Sequence, residues 1–203
     1  MRRQHIASVV VAAASISAVG ITLAMGPQEP RKAGQQGVKD RYTLTSPSGI
    51  AFSEFKGYER WQIVGPSQAD EGIGCGTSPD PGCIKATVGN LAMIQAYADG
   101  TPFNGKPVPD GAAFAKIEWA KARDTTAGYA MTVPGELAEV SFMVKDAKRF
   151  PENDGWGYAK FQYNAGSDTW TAFGDGKEFQ SACHACHTLV KASDFVFTRY
   201  AKR

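Results

Sequence analysis

Four segments of the chain, AAFAKIEWAK, AGYAMTV, LAEVSFMVK and GYAKFQYN, are short, rich in aromatic and β-branched residues, and alternate with a period of two. Gly, Pro and Asp separate them. Parallel strands need crossover connections of a dozen residues or more, and these gaps are too short, so the sheet must be antiparallel. Ahead of them FSEFKGYERW reads as a short helix leading into a strand around Trp61 to Val64, and IKATV reads as another strand. Between strands, Asn90 has the position of an N-cap for the helix LAMIQAYA, with Leu91, Ile94 and Ala98 on one face and Asp99-Gly100 ending it. The expectation is an α+β domain, an antiparallel sheet with a few helices packed on it.

Within AAFAKIEWAK, alternation sends Phe114, Lys116 and Glu118 to one face and Ala113, Ala115, Ile117 and Trp119 to the other. Taken alone, the charged face reads as solvent-facing, although Phe114 argues against that.

The 203 residues divide into three parts. Basic residues open the chain, and Ile6 to Met25 carries no charge, so residues 1–25 read as a signal peptide or an N-terminal anchor. Residues 26–40, rich in Pro, Gly, Gln and charge, read as a flexible linker, which leaves 41–203 as the domain. Either reading of the start delivers the domain outside the cytoplasm, into the periplasm. A net charge of +2 is too mild to imply a basic surface for nucleic acid. In such a compartment Cys75 and Cys83, in GCGTSPDPGC, read as a disulfide closing a turn-rich loop, worth roughly 2.5 kcal/mol on the chain-entropy model.

The remaining cysteines fall in SACHACHTLV. Cys183-His184-Ala185-Cys186-His187 fits C-x-x-C-H, the attachment pattern of c-type haem. Two thiols three residues apart on a helical turn meet the two vinyl groups of one haem, and the next imidazole, His187, reaches the iron as proximal ligand. A thioredoxin-type dithiol would start a helix within a βαβ unit, and a zinc site would have to recruit Cys75 and Cys83 across a seven-residue gap unlike a zinc knuckle. Haem attachment is the preferred reading. His5 lies in the targeting segment and His184 inside the attachment loop, so a sixth ligand would be Met93, Met131 or Met143, a lysine, water, or nothing.

GYERWQIVG, GNLAMIQAYADG, PDGAAFAKIEW, SFMVKDAKRFPENDGWGYAKFQY and CHACHTLVKASDFVFTRY occur in this order, and together they resemble the cytochrome P-460 family from about Phe55 to the end. The resemblance implies a small antiparallel β domain with helices, often a homodimer, carrying one haem c with an open distal site. It also implies an enzyme that oxidises hydroxylamine, with nitric oxide chemistry in the cycle, and passes electrons to a soluble acceptor. The family's haem carries a bond from a lysine side chain to a meso carbon, and by its place in DGAAFAK the matching residue is Lys116, which turns the Phe114, Lys116, Glu118 face into the haem face. A distal carboxylate serves as proton relay; Glu178 matches best, with Asp175 and Glu118 as further candidates. The inserted CGTSPDPGC loop departs from the family's simplest members. Two alternatives stay open: a nitric-oxide-binding cytochrome similar to the beta-type cytochromes c-prime, which lack the lysine bond, and an electron carrier with a methionine sixth ligand.

Overall fold

The computed structural model describes residues 37–69 and 82–202. The N-terminal signal or anchor, most of the linker and Cys75 lie outside the described residues. Six strands form one antiparallel meander in chain order: β1 (Gln62–Gln68), β2 (Cys83–Gly89), β3 (Ala113–Asp124), β4 (Met131–Lys145), β5 (Trp156–Asn164) and β6 (Thr169–Phe173). Two helices accompany them, α1 (Leu91–Ala98) and α2 (Lys177–His187). The fold is α+β, as the alternating segments and short gaps require.

The two faces of the sheet carry separate cores. On one, Ala113, Ala115, Val140, Phe142, Ala159 and Phe161 pack against Phe52, Phe55 and Tyr58. The Phe55 and Phe142 rings stack at 4.0 Å between centroids. Burying each such side chain contributes about 1.5–3 kcal/mol. The other face carries Phe114, Met143 and Tyr158 under α1 and the C-terminal segment, whose Ala201 N–H donates to Val64 C=O at 2.9 Å.

Several elements differ from the sequence reading. FSEFKGYERW forms two 3₁₀ turns, Phe52–Phe55 and Tyr58–Arg60, rather than one helix. AGYAMTV and LAEVSFMVK are not two strands: β4 runs unbroken through Pro134-Gly135, with register shifts near Trp119 on its partner. Pro134 is tolerated because β4 pairs with β5 only from Glu139 onward, which leaves the proline's other side without a ladder partner. Asn90 does cap α1, its side chain accepting from Met93 N–H at 3.0 Å, but the buried face is Met93 and Ala96, while Leu91 is 84% exposed. Gln95 is the one amide among apolar neighbours in this helix, so periodicity gave little to select its inner face. β6 has no counterpart among the expected strands. Nor is the chain before Arg41 all linker, because Val38 bridges to Trp170 and Asp40 caps the turn at Arg41–Thr43.

Candidate functional site

Register across β2, β3, β4 and β5 lays side chains of one sheet face in rows. Phe114, Met143 and Tyr158 form one row. Two residues along, Thr87, Lys116, Ser141 and Lys160 form the next, and beyond it come Lys85, Glu118 and Glu139. The face that alternation marked as charged is covered at Phe114, 6% exposed, and Glu118, 2%, while the Lys116 side chain between them stays 41% exposed.

Over these rows lies a cavity of about 510 Å³, within the size range of cofactor sites. Lys85, Lys116 and Lys160 line it from the sheet; Cys183, Cys186 and His187 line it from α2. The helix explains that grouping, since residues 183 and 186 are one turn apart and share a side. α2 is docked by Gln180, whose amide oxygen accepts from Tyr158 N–H at 3.0 Å while its nitrogen donates to Tyr158 C=O. A side chain thus replaces a neighbouring strand where β5 has not yet met β6, whose pairing starts at Lys160.

His187 Nδ1 lies 2.6 Å from Phe195 C=O, so Nδ1 carries the proton and Nε2 keeps its lone pair for a metal. Burial holds this imidazole below the ordinary histidine range despite that hydrogen bond, with Lys116 acting in the same direction. Burial pushes the Cys183 thiol up, while Lys160 and Lys116 pull it back. His184 is held elsewhere, its ring nitrogens 3.2 Å from Tyr158 Oη and 3.2 Å from Asp154 Oδ2, and it does not line the cavity. Of the three candidate methionines only Met143 does; Met93 lies on the buried face of α1 and Met131 begins β4.

The charged rows are tightly paired. Glu118 lies 2.7 Å from Lys116 Nζ and 3.0 Å from Lys85 Nζ, and Glu139 lies 2.8 Å from Lys160 Nζ. Glu178 sits exposed on the first turn of α2, and neither it nor the exposed Asp175 lines the cavity. Tyr158, Lys160, Glu139 and Gln180 were not anticipated. Alternation applied to GYAKFQYN as it was to β3 would have put Tyr158 and Lys160 on one face.

The residues present fit a covalently attached haem: two thiols on one side of a cavity of adequate size, and a half-buried imidazole whose Nδ1 is already satisfied. Among the described residues the sheet is all antiparallel and offers no βαβ unit for a thioredoxin-type dithiol. Among the described residues no three His, Cys, Asp or Glu side chains gather as a site for a bare metal ion, and no helix is long and apolar enough to cross a membrane. In comparisons with known proteins, residues 55–198, well over half of the chain, match the model of the family described as Cytochrome P460. No curated protein matches the chain.

Proposed function

The chain belongs to the cytochrome P460 family and is a monohaem c-type cytochrome, and from that premise we propose that it oxidises hydroxylamine, with nitric oxide chemistry in the cycle. The observation that carries this reading is Lys116 on the sheet wall of the cavity that Cys183, Cys186 and His187 line from the helix. Bound there, the haem supplies a redox-active iron that takes small nitrogen-oxide ligands. Cys183 and Cys186 would tether it, His187 Nε2 would serve as the ligand to its iron, and Lys116 would be the side chain for the bond to the macrocycle. Oxidising hydroxylamine releases protons with the electrons, so a proton acceptor within reach is required, and the resemblance implies a carboxylate. Glu178 is the residue for that role by resemblance, although it lies outside the cavity lining, and Glu118 is its rival through its 2.7 Å pair with the lining residue Lys116.

We assign the protein to the periplasm, delivered by residues 1–25, as a homodimer that hands electrons to a soluble acceptor. Leu189, 80% exposed beside the haem-binding helix, and Phe197, 48% exposed at the cavity, offer an apolar surface for such contact.

An absorption spectrum of the reduced, matured protein tests the activity class. A strongly red-shifted Soret band that Lys116→Ala abolishes, with haem still attached through both thioethers, supports the lysine bond and with it the reading. A Soret band at the ordinary position sinks it. High-spin five-coordinate iron with that ordinary band favours the nitric-oxide-binding alternative, whose support is the apolar lining by Phe114 and Phe197. A low-spin spectrum that Met143→Ala converts to high spin favours the electron carrier.

A further inference from the structure

We infer that Lys145 and Asp194 are positioning residues for His187, acting through the carbonyl of Phe195 to set how strongly the proximal imidazole donates to the haem iron. The inference rests on His187 as iron ligand and is independent of what the iron oxidises.

Lys145 is the last residue of β4, its side chain only 8% exposed. Nζ lies 3.0 Å from each carboxylate oxygen of Asp194 and donates to Asp154 C=O at 2.9 Å, over the Trp156 ring at 4.9 Å. Asp194 Oδ2 also accepts from Val108 N–H at 2.7 Å. Asp194 is therefore gripped from two elements remote in sequence, neither of which belongs to the haem-binding helix.

That grip sits on an unusual turn. Asp194 and Phe195 both have left-handed backbone, φ 45° and 64°, a conformation side chains with a Cβ resist. The turn is completed by Phe195 N–H donating to Val190 C=O at 3.2 Å and by the Ser193 hydroxyl between Val190 and Val196 carbonyls. Its product is the direction of one carbonyl, that of Phe195, which meets His187 Nδ1–H. The Lys145–Asp194 pair, its side chains 8% and 13% exposed, ties this turn to β4 in addition to the turn's own hydrogen bonds.

The consequence is electronic. A strong acceptor on Nδ1–H makes the imidazole more basic, which favours ferric over ferrous iron. Releasing Asp194 lets the turn relax, lengthens the hydrogen bond and raises the midpoint potential.

The test uses the haem-loaded protein. Lys145→Met and Asp194→Asn, the second keeping an acceptor for Val108, are each expected to raise the potential and to lower the iron–histidine stretching frequency of the reduced protein. The double variant is expected to move neither beyond the larger single shift, because the pair acts as one unit. Lys145→Arg restores both values. Arg149→Met, which breaks the 2.7 Å pair with Glu54, is the structural control and leaves them unchanged. Folded Lys145→Met and Asp194→Asn proteins with unaltered potential and stretch overturn the inference. If neither variant retains haem, the unmodified protein decides: a stretching frequency typical of an imidazole without a strong Nδ1 acceptor overturns it, and one in the strongly hydrogen-bonded range supports it. Absence of any iron–histidine stretch in the unmodified protein would instead fail the ligand assignment beneath it.

Discussion

Lys116 Nζ lies 2.7 Å from Glu118 Oε1, two residues further along the same strand, and Lys85 on the neighbouring strand reaches the other carboxylate oxygen at 3.0 Å. Burial alone would raise the Glu118 carboxyl, but Lys116 and then Lys85 hold it below the usual range, so it stays ionised under the cavity. Whatever Lys116 does at the haem, Glu118 fixes where its nitrogen starts.

Glu118→Gln is therefore predicted to lower hydroxylamine turnover by about 10–100-fold, the usual effect of losing an outer partner of a site residue, and to diminish the red-shifted Soret band. Glu178→Ala is predicted to slow turnover, by up to the ~10²–10⁴-fold of a lost acid–base group, while leaving the spectrum intact. Parallel turnover assays and spectra of the two variants separate them. Turnover of Glu178→Ala at the parent rate removes Glu178 from the mechanism.

Glu139 shifts the other way. It stands directly across from Glu118 and is equally buried, and burial prevails over Lys160, so its carboxyl is raised. A carboxyl raised in the folded state binds its proton more tightly there than in the unfolded chain. Its contribution to stability is greatest below the unfolded value of about 4.3 and declines as pH rises from there through the folded value. Glu139→Gln has no such decline. In urea unfolding at pH 4.5 and pH 7, the stability of the parent minus that of Glu139→Gln is predicted to be larger at pH 4.5. An equal or reversed difference contradicts the raised carboxyl.

These carboxylates show which parts of the site could be read from the chain. Alternation assigned Phe114, Lys116 and Glu118 to one face, and C-x-x-C-H assigned Cys183, Cys186 and His187 to one helical turn, because both patterns are local. What covers a face is not local: α2 reaches the sheet through Gln180 and Tyr158, twenty-two residues apart, and the turn behind His187 depends on Lys145 and Asp194, forty-nine apart. Pro134-Gly135 misled for the same reason. Whether such a pair ends a strand depends on its partner, and β3 continues past it.

Gln180 offers a direct measure of that docking. Its amide satisfies both backbone groups of Tyr158, and Gln180→Ala leaves a buried N–H without its partner, a loss of about 1–3 kcal/mol. Ser48 Oγ still donates to Tyr158 C=O at 3.0 Å, so the carbonyl is not orphaned and the cost stays near that of one group. Urea unfolding should show the loss, and the proportion of chains that acquire covalent haem should fall with it, since the cysteines ride on the same helix. A variant of unchanged stability would mean that α2 is held by its apolar contacts alone.

Cys83 opens β2 and is fully buried, and its expected partner Cys75 precedes it by eight residues. On the proposed haem attachment Cys183 and Cys186 are consumed as thioethers in the matured protein, so the four cysteines sort by chemistry. Unfolding is needed because burial alone would shield Cys83 from reagent. Unfolded without reductant, the protein is predicted to take up no alkylating reagent; after reduction it takes up one label each at Cys75 and Cys83, located by peptide mass. Reduction should also cost about 2.5 kcal/mol of stability, the chain-entropy value for so short a loop. Labelling of both residues before reduction would show two thiols in place of the bond.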